Sequence, residues 1–346
     1  MTSGGLYRDV GPWTLEKLEF LEKYLQAYVQ ATQQIWSQGG PLCFVDLFCG
    51  PGRDRDRTTG RIVDGSPLIG MANTPGFNRF IFVDKDSPSV AQVNQFSVQR
   101  QLSNITTCIS GDCNSVIDQV LDSIPQAGAT FCFVDPAGPD AHWSTIRRLA
   151  FHKHRALNMR RSVNKVELFI LFPYDMSIVR FLARDGDPRF MEAADSERRL
   201  DNVMPGPWWR EVYHERLAGI FEAEEMRRRF VYMYWMGLKE LEYRFVPNPY
   251  LIKSPDGHPL YYLFFASDHP AGDRIMRWLF EHSKRDNSSQ LAFDFGELDQ
   301  STLEGDPWDF QEGEGWYMHA RGQTCRPSAV VGQKASGDYV LILRAL

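Results

Sequence analysis

Phe44-Val-Asp-Leu-Phe-Cys-Gly-Pro-Gly52 is the stretch that decides the fold. The apolar run 42–48 (LCFVDLF) leads straight into a turn carrying Gly50 and Gly52. Missing side chains there let a nucleotide-like ligand approach the backbone closely. Asp46, at the end of the run, would face the cationic end of such a ligand. Neither a strict G-x-G-x-x-G nor a G-x-x-x-x-G-K-[ST] pattern occurs anywhere, so the usual dinucleotide and triphosphate loops are absent.

Outward from this turn, further short runs rich in Val, Ile and Phe follow at 79–83, 131–134 and 166–172, with a weaker one at 104–110. Continuous apolar runs of this length suit buried strands of a parallel sheet. Ser87–Gln101 and Ser115–Ile124 have helical composition, so strands and helices alternate in a doubly wound α/β pattern. Before them, Leu15, Leu18, Leu21, Leu25, Tyr28 and Ile35 recur at three- and four-residue steps and predict one helix over 14–36, ended by Gly39-Gly40-Pro41. Segment 208–241 reads as two helices, with a break near Gly219 or Arg227–Arg229. Strands at 242–252 and 259–267, joined by Ser254-Pro255-Asp256-Gly257, predict a late hairpin backed by a helix over 270–284. Parallel strands closed by a late antiparallel hairpin are typical of the Rossmann-like methyltransferase sheet. The expected organisation is an N-terminal helical segment (1–40), an α/β domain (41–285) with a helical insertion at about 185–241, and an extension (286–346).

Three more acids stand where a nucleoside-binding sheet uses them. Asp84 closes the second strand, where a carboxylate accepts from both ribose hydroxyls. Asp112, in Ser110-Gly-Asp-Cys113, follows the third and suits an adenine exocyclic amine. Asp135, in Asp135-Pro-Ala-Gly138, ends the fourth. In an acid-Pro loop the carboxylate and a neighbouring carbonyl can accept both hydrogens of a target amine, aiming its lone pair at a donor methyl; this is positioning by Asp135 and Pro136 rather than nucleophilic catalysis. Ala137 stands where an aromatic would stack on a target base, leaving Trp143 or Tyr174 to supply that face.

Composition narrows the function classes. The 346 residues are 43% hydrophobic, which excludes a wholly disordered chain. No apolar run approaches a membrane span and the start carries no signal-peptide pattern, so no membrane partner and a cytoplasmic location are expected. The cysteines at 43, 49, 108, 113, 132 and 325 lack zinc spacing and read as reduced core residues. His152 and His154 point to different sides of a helix and hold no metal. Trp208, Trp209, Tyr232, Tyr234 and Trp235 read as core.

The net charge of −6 belongs to the tail: 286–346 carries four basic and ten acidic residues. By contrast, 141–166 has seven cations (Arg147, Arg148, Lys153, Arg155, Arg160, Arg161, Lys165) and no acid, a composition that favours an anionic substrate such as RNA or DNA. Arg53-Asp-Arg-Asp-Arg57 reads as a mobile loop able to close over a ligand, with Arg53, Arg55 or Arg57 on a substrate phosphate. The tail is expected to lie outside the common fold, where it would either dock elsewhere or shield 141–166, with Tyr339–Leu343 as an added edge strand.

The order of motifs resembles the three-Cys-motif partner proteins, whose fold is similar to S-adenosylmethionine-dependent methyltransferases. The matching pieces are Trp13-Thr14 with Lys17-Leu18, Asp46-Leu-Phe-Cys-Gly-Pro-Gly-Arg53, Gly60-Arg-Ile-Val-Asp-Gly-Ser-Pro-Leu68, Gly111-Asp-Cys-Asn114, Asp135-Pro-Ala-Gly138 and Leu260–Ser267 with His269-Pro270. The resemblance implies an S-adenosylmethionine site at Asp46, Gly50, Gly52, Asp84 and Asp112, and a partner bearing three cysteines that looks like a radical enzyme. It also implies that Asp64 and Ser66 fold back toward the cofactor. Cys49 and Ala137 depart from its pattern. The expected function is methyl transfer to a nucleic-acid amine, with Arg53, Arg147, Arg148 and Trp143 holding substrate. The alternative is a catalytically silent module serving the same partner; a nicotinamide oxidoreductase ranks third.

Overall fold

A computed structural model describes residues 6–35, 40–153, 165–179, 182, 193–254 and 256–282, with backbone strands at 330–333 and 339–341. In chain order the elements are β1 (Arg8–Val10), α1 (Pro12–Ile35), β2 (Leu42–Asp46), β3 (Arg53–Asp56), β4 (Ile62–Asp64), α2 (Ser66–Ala72), β5 (Arg79–Asp84), α3 (Ser87–Gln99), β6 (Thr106–Ser110), α4 (Ile117–Ser123), β7 (Ala129–Val134), α5 (Trp143–Phe151) and β8 (Glu167–Phe172). After a π-helical turn at Tyr174–Ile178 come α6 (Ala193–Val203), α7 (Trp209–Leu217), α8 (Ala223–Glu240), β9 (Tyr250–Lys253), β10 (Pro259–Ala266), α9 (Pro270–His282), β11 (Val330–Gln333) and β12 (Tyr339–Leu341).

The main sheet has the order β6-β5-β2-β7-β8-β10-β9. Its first five strands run parallel, and β10 is antiparallel to both β8 and β9. Counted within this sheet the order is 3-2-1-4-5-7-6, the Rossmann-like methyltransferase arrangement. Strand order reverses between β2 and β7, so the crevice at their carboxyl ends is where an open α/β sheet takes a ligand.

Both faces of the inner strands are buried, which is why they read as unbroken apolar runs, whereas the edge strands β6 and β9 are partly exposed. Alternate residues divide two cores: Phe44, Phe80, Phe82, Phe131, Phe133 and Phe169 face α1, α2 and α9, whereas Val45, Ile81, Val83, Cys132, Val134 and Ile170 face α4, α5 and α8. Helix α1 belongs to the first core through Leu21, Tyr24, Leu25 and Tyr28; the Tyr24 and Phe131 ring centroids lie 5.1 Å apart. Helices α7 and α8 separate at 218–222, the Gly219 break. Trp209, Tyr232, Tyr234 and Trp235 are core, and the described cysteines are free thiols, four of them buried.

Three expectations need correction. The late hairpin's first strand is only Tyr250–Lys253, since 242–249 forms no strand beyond a single bridge from Phe245 to Ser267. Arg53-Asp-Arg-Asp56 is strand β3, which pairs with β1 in parallel and with β4 antiparallel. Its alternation has the period of a strand: Asp54 and Asp56 are buried, while Arg53 and Arg55 point outward. Arg8 bridges to Asp54, and Arg55 to Asp9 at 2.6 Å. Strand β12 pairs with β11 in a separate two-stranded sheet rather than on the main sheet's edge. The rest of 286–346, including Cys325, and Arg155, Arg160 and Arg161 lie outside the described residues.

Glu167 opens β8, buried; it accepts from Tyr24 Oη at 2.7 Å and Ser267 Oγ at 2.6 Å. Burial pushes its carboxyl pKa up to about 7, against the lowering effect of these two bonds. The unfolded chain releases this proton near the ordinary 4.5. Stability is therefore full below that value and falls as pH rises through about 7, by roughly 3 kcal/mol in the limit of complete burial. Glu167→Gln is expected to flatten urea-unfolding stability between about pH 5 and 8; parallel profiles for the two proteins would refute the assignment.

Candidate active site

The turn after β2 is built by backbone that only glycine adopts freely: φ is +56° at Gly50 and +79° at Gly52. A Cβ on Gly52 would stand 3.3 Å from the Phe96 ring, so substitution there is both strained and crowded. Asp84 fastens this turn to its neighbours. Its Oδ2 accepts from Gly50 N at 2.8 Å, its Oδ1 from Asp86 N at 2.9 Å, and its carbonyl from Gly111 N at 2.9 Å. The ends of β2, β5 and β6 thus meet at one half-buried residue, Asp84, its carboxylate taking the glycine turn and its carbonyl the end of β6.

Asp46 is fully buried. Its Oδ1 accepts from Phe48 N at 3.1 Å, and its Oδ2 has no hydrogen-bond partner. Burial raises its pKa to about 7, while interactions with Ser66 and the Phe48 N–H act in the opposite direction and the charges of Asp135 and Asp84 add to the rise. Ser66 is buried at the start of α2. The preceding Gly65 N donates to Gly52 O at 2.9 Å, so the Asp64-Gly-Ser-Pro67 segment does fold back on the glycine turn. A buried carboxylate oxygen without a partner can accept from a cation or another hydrogen-bond donor.

Arg8 escaped the sequence reading. Its Nε and Nη2 donate to the two Asp54 oxygens at 3.0 and 3.2 Å, while a Cβ built on Gly50 would lie 3.9 Å from Arg8 Cζ and Nη1. The guanidinium is thereby fixed beside the turn with Nη1 toward it. Burial opposes its charge, yet Asp54, Asp135 and Asp46 hold its pKa above the ordinary value. The one local signal was the match of Arg8-Asp9-Val10 to the charged period-two strand at 53–56.

Asp135 is buried, and both its oxygens are occupied: Lys17 Nζ donates to them at 2.7 and 2.6 Å. Burial lowers the Lys17 pKa, and the Asp135 charge works against that fall. Pro136 is buried, Ala137 is exposed and its carbonyl accepts from Ser177 Oγ at 3.5 Å. Tyr174 is core, 1% exposed, and offers no stacking face. Asp112 is exposed and accepts from Asn114 N at 2.7 Å. Asn114 also ties this loop to the next, donating to Asp140 O and accepting from His142 N and Thr145 Oγ1.

The basic stretch divides in depth. Lys153 is buried, donating to Gly128 O and Thr130 Oγ1, with burial lowering its pKa to about 8. Lys165 is buried against Leu241 O, beneath the Phe151 and Tyr243 rings. These two lysines are structural, a correction to the count of substrate-facing cations. Arg148 pairs with Asp118, and Arg53 lies over the Phe96 ring and 3.7 Å from Asp64. Arg147 is exposed, and half-buried Trp143 meets Tyr234 edge to face. No group of His, Cys, Asp or Glu among the described residues could hold a metal, and no described helix is long and apolar enough to cross a membrane.

No family model matches the sequence, and no curated protein matches it. Among solved structures, the chain is similar to the O-methyltransferase TomG from Streptomyces achromogenes in complex with SAM, at 10% identity and TM-score 0.32, covering 70% of this chain and 79% of that one. It is similar to an O-methyltransferase from Bacillus cereus in complex with SAH, at 12% identity and TM-score 0.29, covering 72% and 90%. A human methyltransferase 10 domain containing protein is similar at 10% identity and TM-score 0.31, covering 71% and 82%. The fold assignment rests on this chain's own strand order, which is that of a Rossmann-like methyltransferase sheet.

Proposed function

We propose that this chain binds S-adenosylmethionine at the carboxyl edge of β2, β5 and β6 and transfers its methyl group to an amine of a nucleic acid, in association with a three-cysteine, radical-type partner. The observation that carries the reading is the orphaned Asp46 Oδ2 beneath a two-glycine turn, with a fixed guanidinium beside it. An amino acid's ammonium and carboxylate are the charges this pair complements. Asp84, at the end of β5, suits the ribose hydroxyls, and Asp112, at the end of β6, suits the adenine amine. The cofactor would supply an electrophilic methyl on a sulfonium. The chain's own contribution is orientation and charge placement.

Asp135 can position an acceptor amine only by exchanging its Lys17 ammonium for the acceptor's hydrogens. This clamp, with exposed Ala137 and buried Tyr174, favours the second reading, a silent module of the same fold. Two measurements separate the readings. Calorimetry with S-adenosylmethionine and S-adenosylhomocysteine should show binding, and absence of heat for both rejects the cofactor. Labelled methyl donor should mark a cellular RNA or DNA pool with the wild type and not with Asp135→Ala. Cofactor binding without label in any pool, with or without the co-purified partner, selects the silent module.

A further inference from the structure

Helix α5 carries Trp143, Arg147 and Phe151 at steps of four, a spacing that puts all three on one helix face. That face lines a cavity of about 650 Å³ that opens to solvent, walled opposite by the end of α6 and the turn after it, including Asn202 and Pro205. The volume suits a nucleotide. The charges at its rim are unequal. Asp201 is neutralised by Arg210, which donates to both its oxygens, and also accepts from Trp209 Nε1. Arg148 also lines the cavity but is paired with Asp118, while Arg147 has no ion pair among the described residues. The cavity therefore presents one uncompensated cation between two aromatic side chains, with the Asn202 amide across from them.

We propose that this cavity is a subsite for one nucleotide of a single-stranded nucleic acid, its phosphate on Arg147 and its base against the aromatic wall. The inference rests on the nucleic-acid part of the function proposed above, and supplies the site at which the strand is held. Aromatic faces accept any base while a cation tracks the backbone, so the site grips a strand without reading its sequence. The open side favours a strand that continues past the cavity over an enclosed free nucleotide.

The test uses the full chain and fluorescein-labelled 12-nucleotide single strands of RNA and DNA, read by anisotropy. Arg147→Glu should weaken binding at least tenfold and reduce the salt slope by about one, as expected for a lost phosphate contact. Arg274→Glu, the same charge reversal at an exposed position on α9, should change binding less than twofold. Ultraviolet crosslinking of a 4-thiouridine strand, mapped by mass spectrometry, should mark 143–151. Equal losses at both arginines, crosslinks only elsewhere, or binding of AMP and UMP as tight as that of the strands would overturn the proposal. So would an acidic peptide that competes for Arg147 when no strand binds. Calorimetry with S-adenosylhomocysteine on the same Arg147→Glu protein should be unchanged; loss of cofactor binding in the wild type would count against the methyltransferase reading alone.

Discussion

Lys17→Met is expected to lower folding stability by roughly 3–5 kcal/mol, the cost of leaving one member of a buried ion pair unpartnered. Lys17 and Asp135 are 6% and 3% exposed, and the ammonium supplies hydrogen bonds to both carboxylate oxygens. Removing it leaves a charge at the end of β7 with no water to solvate it. Arg8 is within electrostatic reach of Asp135 but is already engaged by Asp54, so it cannot take over both oxygens. The double variant Lys17→Met/Asp135→Leu removes the stranded charge and should recover most of the loss, because replacing a buried pair by apolar groups is often neutral. Urea unfolding of the three proteins checks this. A single-variant loss below about 1 kcal/mol, the scale of an exposed pair, would mean that the carboxylate reaches solvent. Partial recovery would still leave the pair as a tie between α1 and the end of β7, made by two residues 118 positions apart in the chain.

That separation explains why the pair was illegible in the sequence. The inner main-sheet strands were readable because each is buried on both faces and so is a run of apolar residues, as in Phe44 to Asp46 and Phe131 to Val134; the edge strand β6, Thr106–Ser110, is half-exposed and gives a weaker run. The glycine turn and the four acids were readable because they follow those runs directly. Strand β1 and strand β3 were not, since Arg8-Asp-Val10 and Arg53-Asp-Arg-Asp56 are stabilised by ion pairs across strands instead of apolar area. Their period of two was present, but in charge rather than hydropathy. Depth was also hidden: Lys153 and Lys165 count as surface cations in any tally, yet each finds carbonyl or hydroxyl acceptors inside the protein. A one-dimensional charge sum cannot distinguish an ammonium that meets phosphate from one that caps a carbonyl.

Arg8→Met is expected to discriminate between ligands that differ only in their amino-acid part. S-adenosylhomocysteine should lose about 10- to 100-fold in affinity, the equivalent of roughly 1.5–3 kcal/mol for a hydrogen bond to a charged group. 5′-Deoxy-5′-methylthioadenosine, which has the nucleoside and sulfur but neither ammonium nor carboxylate, should bind wild type and variant alike. The reason is geometric. Asp54 holds two nitrogens of the guanidinium and leaves Nη1 beside Gly50 as a donor already in place. Little rotamer freedom remains to be lost when a carboxylate arrives. Asp54→Asn should produce a smaller loss in the same ligand-selective pattern, because Arg8 keeps its charge but loses its fork. Calorimetry of both ligands on the three proteins makes the comparison, and thermal midpoints without ligand identify any variant that fails by unfolding. Equal losses for the two ligands would place Arg8 outside the amino-acid end of the site and reduce β1 to a brace for β3.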